Sequence, residues 1–252
     1  MAESSIEWTE LTWNPVTGCK KISPGCKFCY AEVMSRRLKA MGIDKYRNGF
    51  KITLHPEALN TPFTWKRPKV VFVNSMSDLF HDEVPLSFIK AVFAVMNATP
   101  QHTYQVLTKR SDRLLQICNQ LNWTPNIWMG VSVENENYAF RAIDLSLTPA
   151  VVKFLSVEPL LGYIEELPLH NINWVIVGGE SGHGARPIKY EWIEAIRLQC
   201  QYYNVPFFFK QWGKYKFNIN PNDPTIDKLH PNHAKGGCEL DGVIYRELPQ
   251  LQ

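Results

Sequence analysis

Cys19, Cys26 and Cys29 fall within eleven residues at C-x6-C-x2-C spacing, in the stretch GCKKISPGCKFCY that begins at Gly18. A structural zinc or a ferredoxin-type cluster takes four protein ligands. No fourth cysteine lies nearby, so the stretch reads as a three-thiolate site with one metal position left open. A [4Fe-4S] cluster held in this way keeps one iron free to bind a small molecule. Two plainer readings stand beside it: a zinc site completed by a distant histidine such as His233, and unligated thiols packed as small hydrophobes.

The residues around the thiols favour iron. Gly18 and Pro24-Gly25 let the backbone curl around a bulky cluster and aim N–H groups at charged sulfurs. Lys20, Lys21 and Lys27 would offset that charge, or serve an ordinary solvated loop. Phe28, one place before the last cysteine, can lie beside whatever occupies the open iron; otherwise it enters the core with the helix that follows.

Several classes are disfavoured by composition. The chain has 252 residues, 45% of them hydrophobic, which suits one large domain and matches the size of a single barrel. Net charge is +3, which does not demand a polyanionic partner. With six cysteines, no apolar leader and no apolar run near the ~20 residues needed to span a bilayer, the chain reads as cytoplasmic, without a membrane partner. Cys118 and Cys200 fall in helical patterns and are expected to be buried as small hydrophobes.

The thiols need a frame, and the chain alternates strand-length apolar runs with helical stretches, the pattern of a parallel α/β sheet. Strands are expected at 12–17, 70–73, 103–107, 127–133, 151–157, 174–177 and 206–209, with 51–54 a further one. Helices are expected at 30–41, 85–97, 111–121, 138–145 and 190–203, with Ser111 as an N-cap. The fold class is a TIM-like (β/α) barrel of six to eight parallel strands. Residues 1–214 would form the barrel and 215–252, rich in Asn, Pro, Lys and Gly, an irregular extension.

Barrel enzymes carry their chemistry at the C-terminal ends of the strands. This chain places Asn74, Ser75, Ser77 and Asp78 after one strand, Lys109 and Arg110 after the next, and Ser132, Glu134 and Asn135 after a third. Glu158, then Gly178-Gly179-Glu180, then Lys210 and Gln211 follow the later ones. Each alone would be a turn or a helix cap. Together they suggest a polar mouth in which Lys109, Glu134, Glu158, Glu180 and Lys210 must pair with one another or with a ligand.

The cysteine loop, with Phe28 before its last thiol, resembles a lengthened radical S-adenosylmethionine motif. Over nearly the whole chain, the fragments VFVNSMSDLF, VLTKR, GVSVEN, FLSVEPLLG, WVIVGGESG, ARP and FFFKQWG resemble a phage- and bacteria-associated radical-SAM-like family of unassigned function. The resemblance implies a radical-SAM barrel in which Cys19, Cys26 and Cys29 hold a [4Fe-4S] cluster whose free iron binds S-adenosyl-L-methionine. Reduction then yields a deoxyadenosyl radical that abstracts hydrogen from a substrate.

Carried over residue by residue, Phe28 would flank the adenine, while Ser132 and Glu134 would face the ribose. Asn74, Ser75, Ser77 and Asp78 stand where the superfamily offers Gly-Gly-Glu to the methionyl group, and Gly178-Gly179-Glu180 occurs after another strand. Lys109, Glu158, Glu180 and Lys210 are the candidate catalytic residues. The implied partner is an electron donor such as flavodoxin or ferredoxin.

For the substrate, Lys109, Arg110, Arg186 and Lys210 with Trp13 and Trp212 suggest a nucleic-acid base, held by cations and stacked on indoles. The contrasting reading is a zinc- or cluster-binding protein that contacts nucleic acid without catalysis. A metal hydrolase would want inward ligands at several strand ends, where the sequence offers His55 and His81.

Overall fold

Pro15 has no N–H to give to a ladder, and the first expected strand divides at it. β1 (Leu11–Trp13) precedes it and β2 (Val16–Thr17) follows. β2 pairs antiparallel with β3 (Thr53–Leu54), Val16 opposite Leu54 and Thr17 opposite Thr53. Residues 51–54 therefore add no strand to the main sheet. They form one arm of a two-stranded neck that closes on residues 18–52. Its hydrogen bonds explain the choice: Pro15 O accepts from His55 N at 2.8 Å, and Thr17 Oγ1 lies 2.8 Å from His55 Nε2.

In the computed structural model residues 7–249 are described. Within the neck runs α1 (Tyr30–Ala40); beyond it come β4 (Val70–Val73), α2 (Leu86–Ala98), β5 (Thr103–Thr108), α3 (Ser111–Ile117) and β6 (Ile127–Ser132). Then follow α4 (Phe140–Ser146), β7 (Val152–Val157), β8 (Trp174–Gly178), α5 (Tyr190–Tyr203) and β9 (Phe207–Gln211). Strand order is β1-β4-β5-β6-β7-β8-β9, seven strands as expected. The chain divides into two compact units, one of residues up to Gly130 with Leu147–Val152, the other of Val131–Ser146 with Lys153 onward.

In the first unit β4 lies between β1 and β5, parallel to both, with Trp13 opposite Val73 and Val73 opposite Val106. Val71, Phe72 and Val73 are buried, as strands covered on both faces require. α2 turns Ile89, Val92, Phe93 and Met96 inward at helical spacing. α3 is capped by Arg110, and Ser111 is its first residue, one place later than expected for a cap.

In the second unit β8 lies between β7 and β9, again parallel. α5 buries Ile193, Ile196 and Cys200 and ends at Asn204, whose φ of 53° makes a left-handed cap. The outer edge of β9 is taken by the chain's own tail, with Phe209 N donating to Tyr245 O at 3.2 Å and Phe208 bridged to Arg246. The expected TIM-like arrangement of parallel strands is met in this order, with β1 and β9 as its two end strands. Residues 215–249 contain 3-10 turns at Tyr215–Phe217, Pro224–Ile226 and His233–Lys235 in otherwise irregular chain. Among the described residues no helix is long and apolar enough to cross a membrane.

Candidate metal centre and strand-end polar sites

The thiol loop is fixed at its start. Gly18 sits at φ 87°, where a Cβ would run into the backbone of Lys51, so only glycine fits. Its N–H donates to Met76 O at 3.0 Å, and Cys19 N donates to Phe50 O at 3.3 Å. Cys26 closes a 3-10 turn begun at Pro24, its Sγ 3.6 Å from Ser23 Oγ, and Cys29 is the N-cap of α1. All three thiols are free and half-buried. Phe28 is 37% exposed, with Lys27 Nζ 5.3 Å from its ring centre, so it does not enter the core. Lys20 pairs with Glu83, and Lys21 with Glu32 at 2.8 Å.

Arg110, expected as a cation for a nucleic-acid substrate, reaches the first of the thiols instead. The buried guanidinium of Arg110 donates from Nη1 to Cys19 Sγ at 3.8 Å and to Asp78 Oδ2 at 3.3 Å, and from Nη2 to Lys20 O at 3.2 Å. Asp78, also buried, accepts from Thr108 Oγ1 at 2.7 Å, Lys109 N at 3.1 Å and Phe80 N at 3.0 Å. Burial first, then the Asp78 charge, push the Cys19 thiol up to about 12, and Arg110 opposes the rise. Asp78, expected to bind a cofactor, has its carboxylate on Arg110 and the start of α3.

The other residues after β4 gather at the same end of the unit. Asn74 adopts a left-handed φ of 60°, stabilised by its N–H to Trp13 O at 2.7 Å and by Oδ1 accepting from Val16 N at 3.2 Å. Its Nδ2 is buried without an acceptor. Ser75 Oγ is held by Asn14 at 3.1 Å and Ser77 Oγ donates to Val16 O at 2.8 Å. Tyr30 OH donates to Ser75 O, tying α1 to this turn. The two serine hydroxyls expected at a cofactor thus brace the loop.

In the second unit each of the three expected carboxylates is paired with a cation. Glu134 is fully buried and accepts from Arg141 Nη1 at 2.9 Å; the same nitrogen donates to Ser132 O at 2.8 Å. Glu158 pairs with Lys210 at 2.7 Å and accepts from Ser156 Oγ at 3.2 Å. Glu180 accepts from Arg186 Nε at 2.8 Å, Nη2 at 2.6 Å and N at 3.0 Å. That engagement raises the Arg186 pKa above its usual range, with Glu134 adding to the effect. Gly178-Gly179 serves close packing: a Cβ on Gly179 would strike Trp212 O, and one on Gly178 would lie 2.9 Å from Glu158 Oε1.

The two indoles expected to stack a nucleobase are buried. Trp13 is 2% exposed and Trp212 1%, with their indole N–H groups donating to Ala58 O at 2.8 Å and Glu239 O at 2.9 Å. Arg110, Arg186 and Lys210 are all engaged with carboxylates. Among the described residues no three His, Cys, Asp or Glu side chains converge on a single-ion position.

Residues 3–249 match the family model described as "Protein of unknown function (DUF5131)". No curated protein and no solved structure matches the chain. A match over nearly its whole length shows that the chain belongs to the DUF5131 family.

Proposed function

We propose that the protein is a radical S-adenosylmethionine enzyme whose [4Fe-4S] cluster is held by Cys19, Cys26 and Cys29. The observation that carries this reading is the buried Arg110 guanidinium, directed by Asp78 onto Cys19 Sγ. A fixed cation beside one thiol is useful where that sulfur bears negative charge, as a metal-bound thiolate does. The donor set fits as well: residues 19–29 hold three thiols, three lysines and no carboxylate. Zinc ligands all lie about 2.0–2.3 Å from one ion, whereas thiolates on separate irons of a cluster share no such centre.

The chemistry such a cluster supplies when bound is one-electron reductive cleavage of the sulfonium. The chain's own residues would position the cofactor. Exposed Phe28 would lie against the adenine, and the unsatisfied Asn74 Nδ2 would donate to the methionyl carboxylate. Asn14 and Tyr30 hold the Ser75 turn around it. Arg110 would donate to the Cys19 sulfur while Asp78 keeps the guanidinium aimed. On this reading the seven-stranded sheet is an incomplete barrel of the radical-SAM type, an acidic carrier protein supplies the electron, and six free cysteines suit a reducing cytoplasm.

Anaerobic reconstitution should give about four irons per chain, and Cys29→Ala should lose most of them. With dithionite, the reconstituted protein should convert S-adenosylmethionine to methionine and deoxyadenosine; isotope in the deoxyadenosine then identifies the hydrogen donor. Stoichiometric zinc without iron, or an iron-loaded and reduced protein that leaves S-adenosylmethionine intact, overturns the proposal.

A further inference from the structure

Charge is unevenly distributed along this chain. Residues 18–51, which carry the thiols and α1, contain nine Lys and Arg against two Asp and Glu, while the rest has eighteen against twenty-two. The segment is thus strongly basic on a chain whose remainder is acidic. Lys45 is half-buried against Asn14 O, but others face solvent from ion pairs, with side chains 70% exposed at Lys20, 50% at Lys21, 74% at Arg36 and 68% at Arg47.

Within this basic field α1 presents an apolar stripe. Ala31 and Ser35 are its buried side. Tyr30, Val33, Met34, Arg37 and Met41, at i, i+3, i+4, i+7 and i+11, fall on one face, and the four apolar ones are 58%, 52%, 40% and 72% exposed. The stripe starts one residue after Cys29. Aliphatic, methionine and aromatic groups rimmed by Arg and Lys make the composition of a protein interface. Nucleic-acid interfaces are more polar and more uniformly cationic.

We infer that this face of α1 is the docking surface for an acidic one-electron carrier protein. The inference rests on the cluster reading above, because it is the adjacent thiol loop that gives an electron carrier a reason to bind here. Carrier carboxylates meet the basic rim, and its apolar centre covers Val33 and Met34. One electron passes from the carrier, which is oxidised, to the cluster, which is reduced; no atom is transferred. The contact belongs with small, transient redox interfaces, under about 1,200 Å² in all.

The test uses a flavodoxin as the acidic probe and two variants, Arg37→Glu and Met34→Glu, with Tyr202→Glu on exposed α5 as control. Binding is measured by calorimetry at two salt concentrations on iron-free and reconstituted protein, and cluster reduction is followed by absorbance. Wild type and control should bind alike and more weakly as salt rises. Each α1 variant should weaken binding tenfold or more and slow carrier-driven reduction, while dithionite reduces all proteins equally. If no cluster assembles, the enzyme proposal fails, yet loss of binding to iron-free Arg37→Glu still supports the surface. Unchanged flavodoxin binding in both variants overturns it, as does an α1 variant that loses tRNA or single-stranded DNA binding but not flavodoxin binding.

Discussion

Arg110 and Cys19 lie 91 positions apart and meet at 3.8 Å, guanidinium to sulfur, over the carboxylate of Asp78. The contact joins the loop after β5 to the loop after β2. Removing its hydrogen bond while keeping side-chain volume separates tuning of the sulfur from simple folding. Partners behind a metal ligand typically account for about 10–100-fold in metal affinity or activity. On the proposed cluster reading, Arg110→Gln should lower iron retention under chelator challenge by that range and shift the cluster potential to more negative values. Arg110→Lys should restore part of the potential, since it keeps the charge and loses the fork. Anaerobic redox titration of the three proteins checks the order.

Asp78 acts on the same thiol with the opposite sign. In iron-free protein the Cys19 pKa, raised to about 12, leaves the group protonated at neutral pH. Iodoacetamide at pH 8 should therefore modify Cys19 far more slowly than a free thiol of ordinary pKa. Asp78→Asn should speed that modification, because a carboxylate that disfavours the thiolate is gone. Peptide mapping of the alkylated protein reads both rates. The same substitution should destabilise the fold by about 3–5 kcal/mol, the usual cost of leaving one member of a buried ion pair alone.

Three buried histidines give stability a defined pH dependence. Burial is the first cause holding His55, His81 and His102 below their ordinary 6.5, with Lys45 adding at His55 and Arg110 at His81. The unfolded chain then binds protons more readily than the folded one. Their contribution is complete above pH 6.5 and is lost as pH falls from there through the depressed folded values. The urea midpoint should drop between pH 7 and pH 5, and His81→Asn should flatten part of that slope. An unchanged midpoint across this window would contradict the assignment.

Gly178 and Gly179 should respond differently to the same methyl group. In Gly179→Ala the new Cβ meets the main-chain carbonyl of Trp212, which cannot yield without moving the strand end. Overpacking of this kind costs about 1–3 kcal/mol or more. In Gly178→Ala it meets the end of the Glu158 side chain at 2.9 Å, which can swing aside. The first variant should lose thermal stability, and the second should keep it while loosening the Glu158–Lys210 pair. Melting curves and a low-temperature structure distinguish the two.

Much of the frame was legible because period and composition are local. The β-branched run 70–73 and the helix 190–203 match their elements end for end, and Cys118 and Cys200 are buried as anticipated. The split at Pro15 and the antiparallel role of 53–54 depend on partners forty residues away, which no window of sequence contains. At the strand ends, residue type announced charge but not its destination. Glu134, Glu158 and Glu180 found Arg141, Lys210 and Arg186, and the need for such pairing was readable while one of the three partners, Arg141, was not singled out. Arg110 reads from the sequence as a phosphate contact, and only its approach to Cys19 and Asp78 reveals a different use. Trp13 and Trp212 were misread for the same reason, since an indole in a list does not say whether it faces solvent.

The neck of β2 and β3 makes the thiol-bearing excursion a detachable appendage in the topological sense. Its two roots sit side by side, Val16 against Leu54, and Cys19 is held to Phe50 just above them. Changes in length within the excursion need not propagate into the sheet, because loop closure grows by only about 0.6 kcal/mol per doubling of length. The turn after α1, where Gly42 takes a φ of 73° with open space around it, is the place where extra residues would be absorbed. The lobe can thus be enlarged, or nicked there, while the roots keep Cys19 at its distance from Arg110.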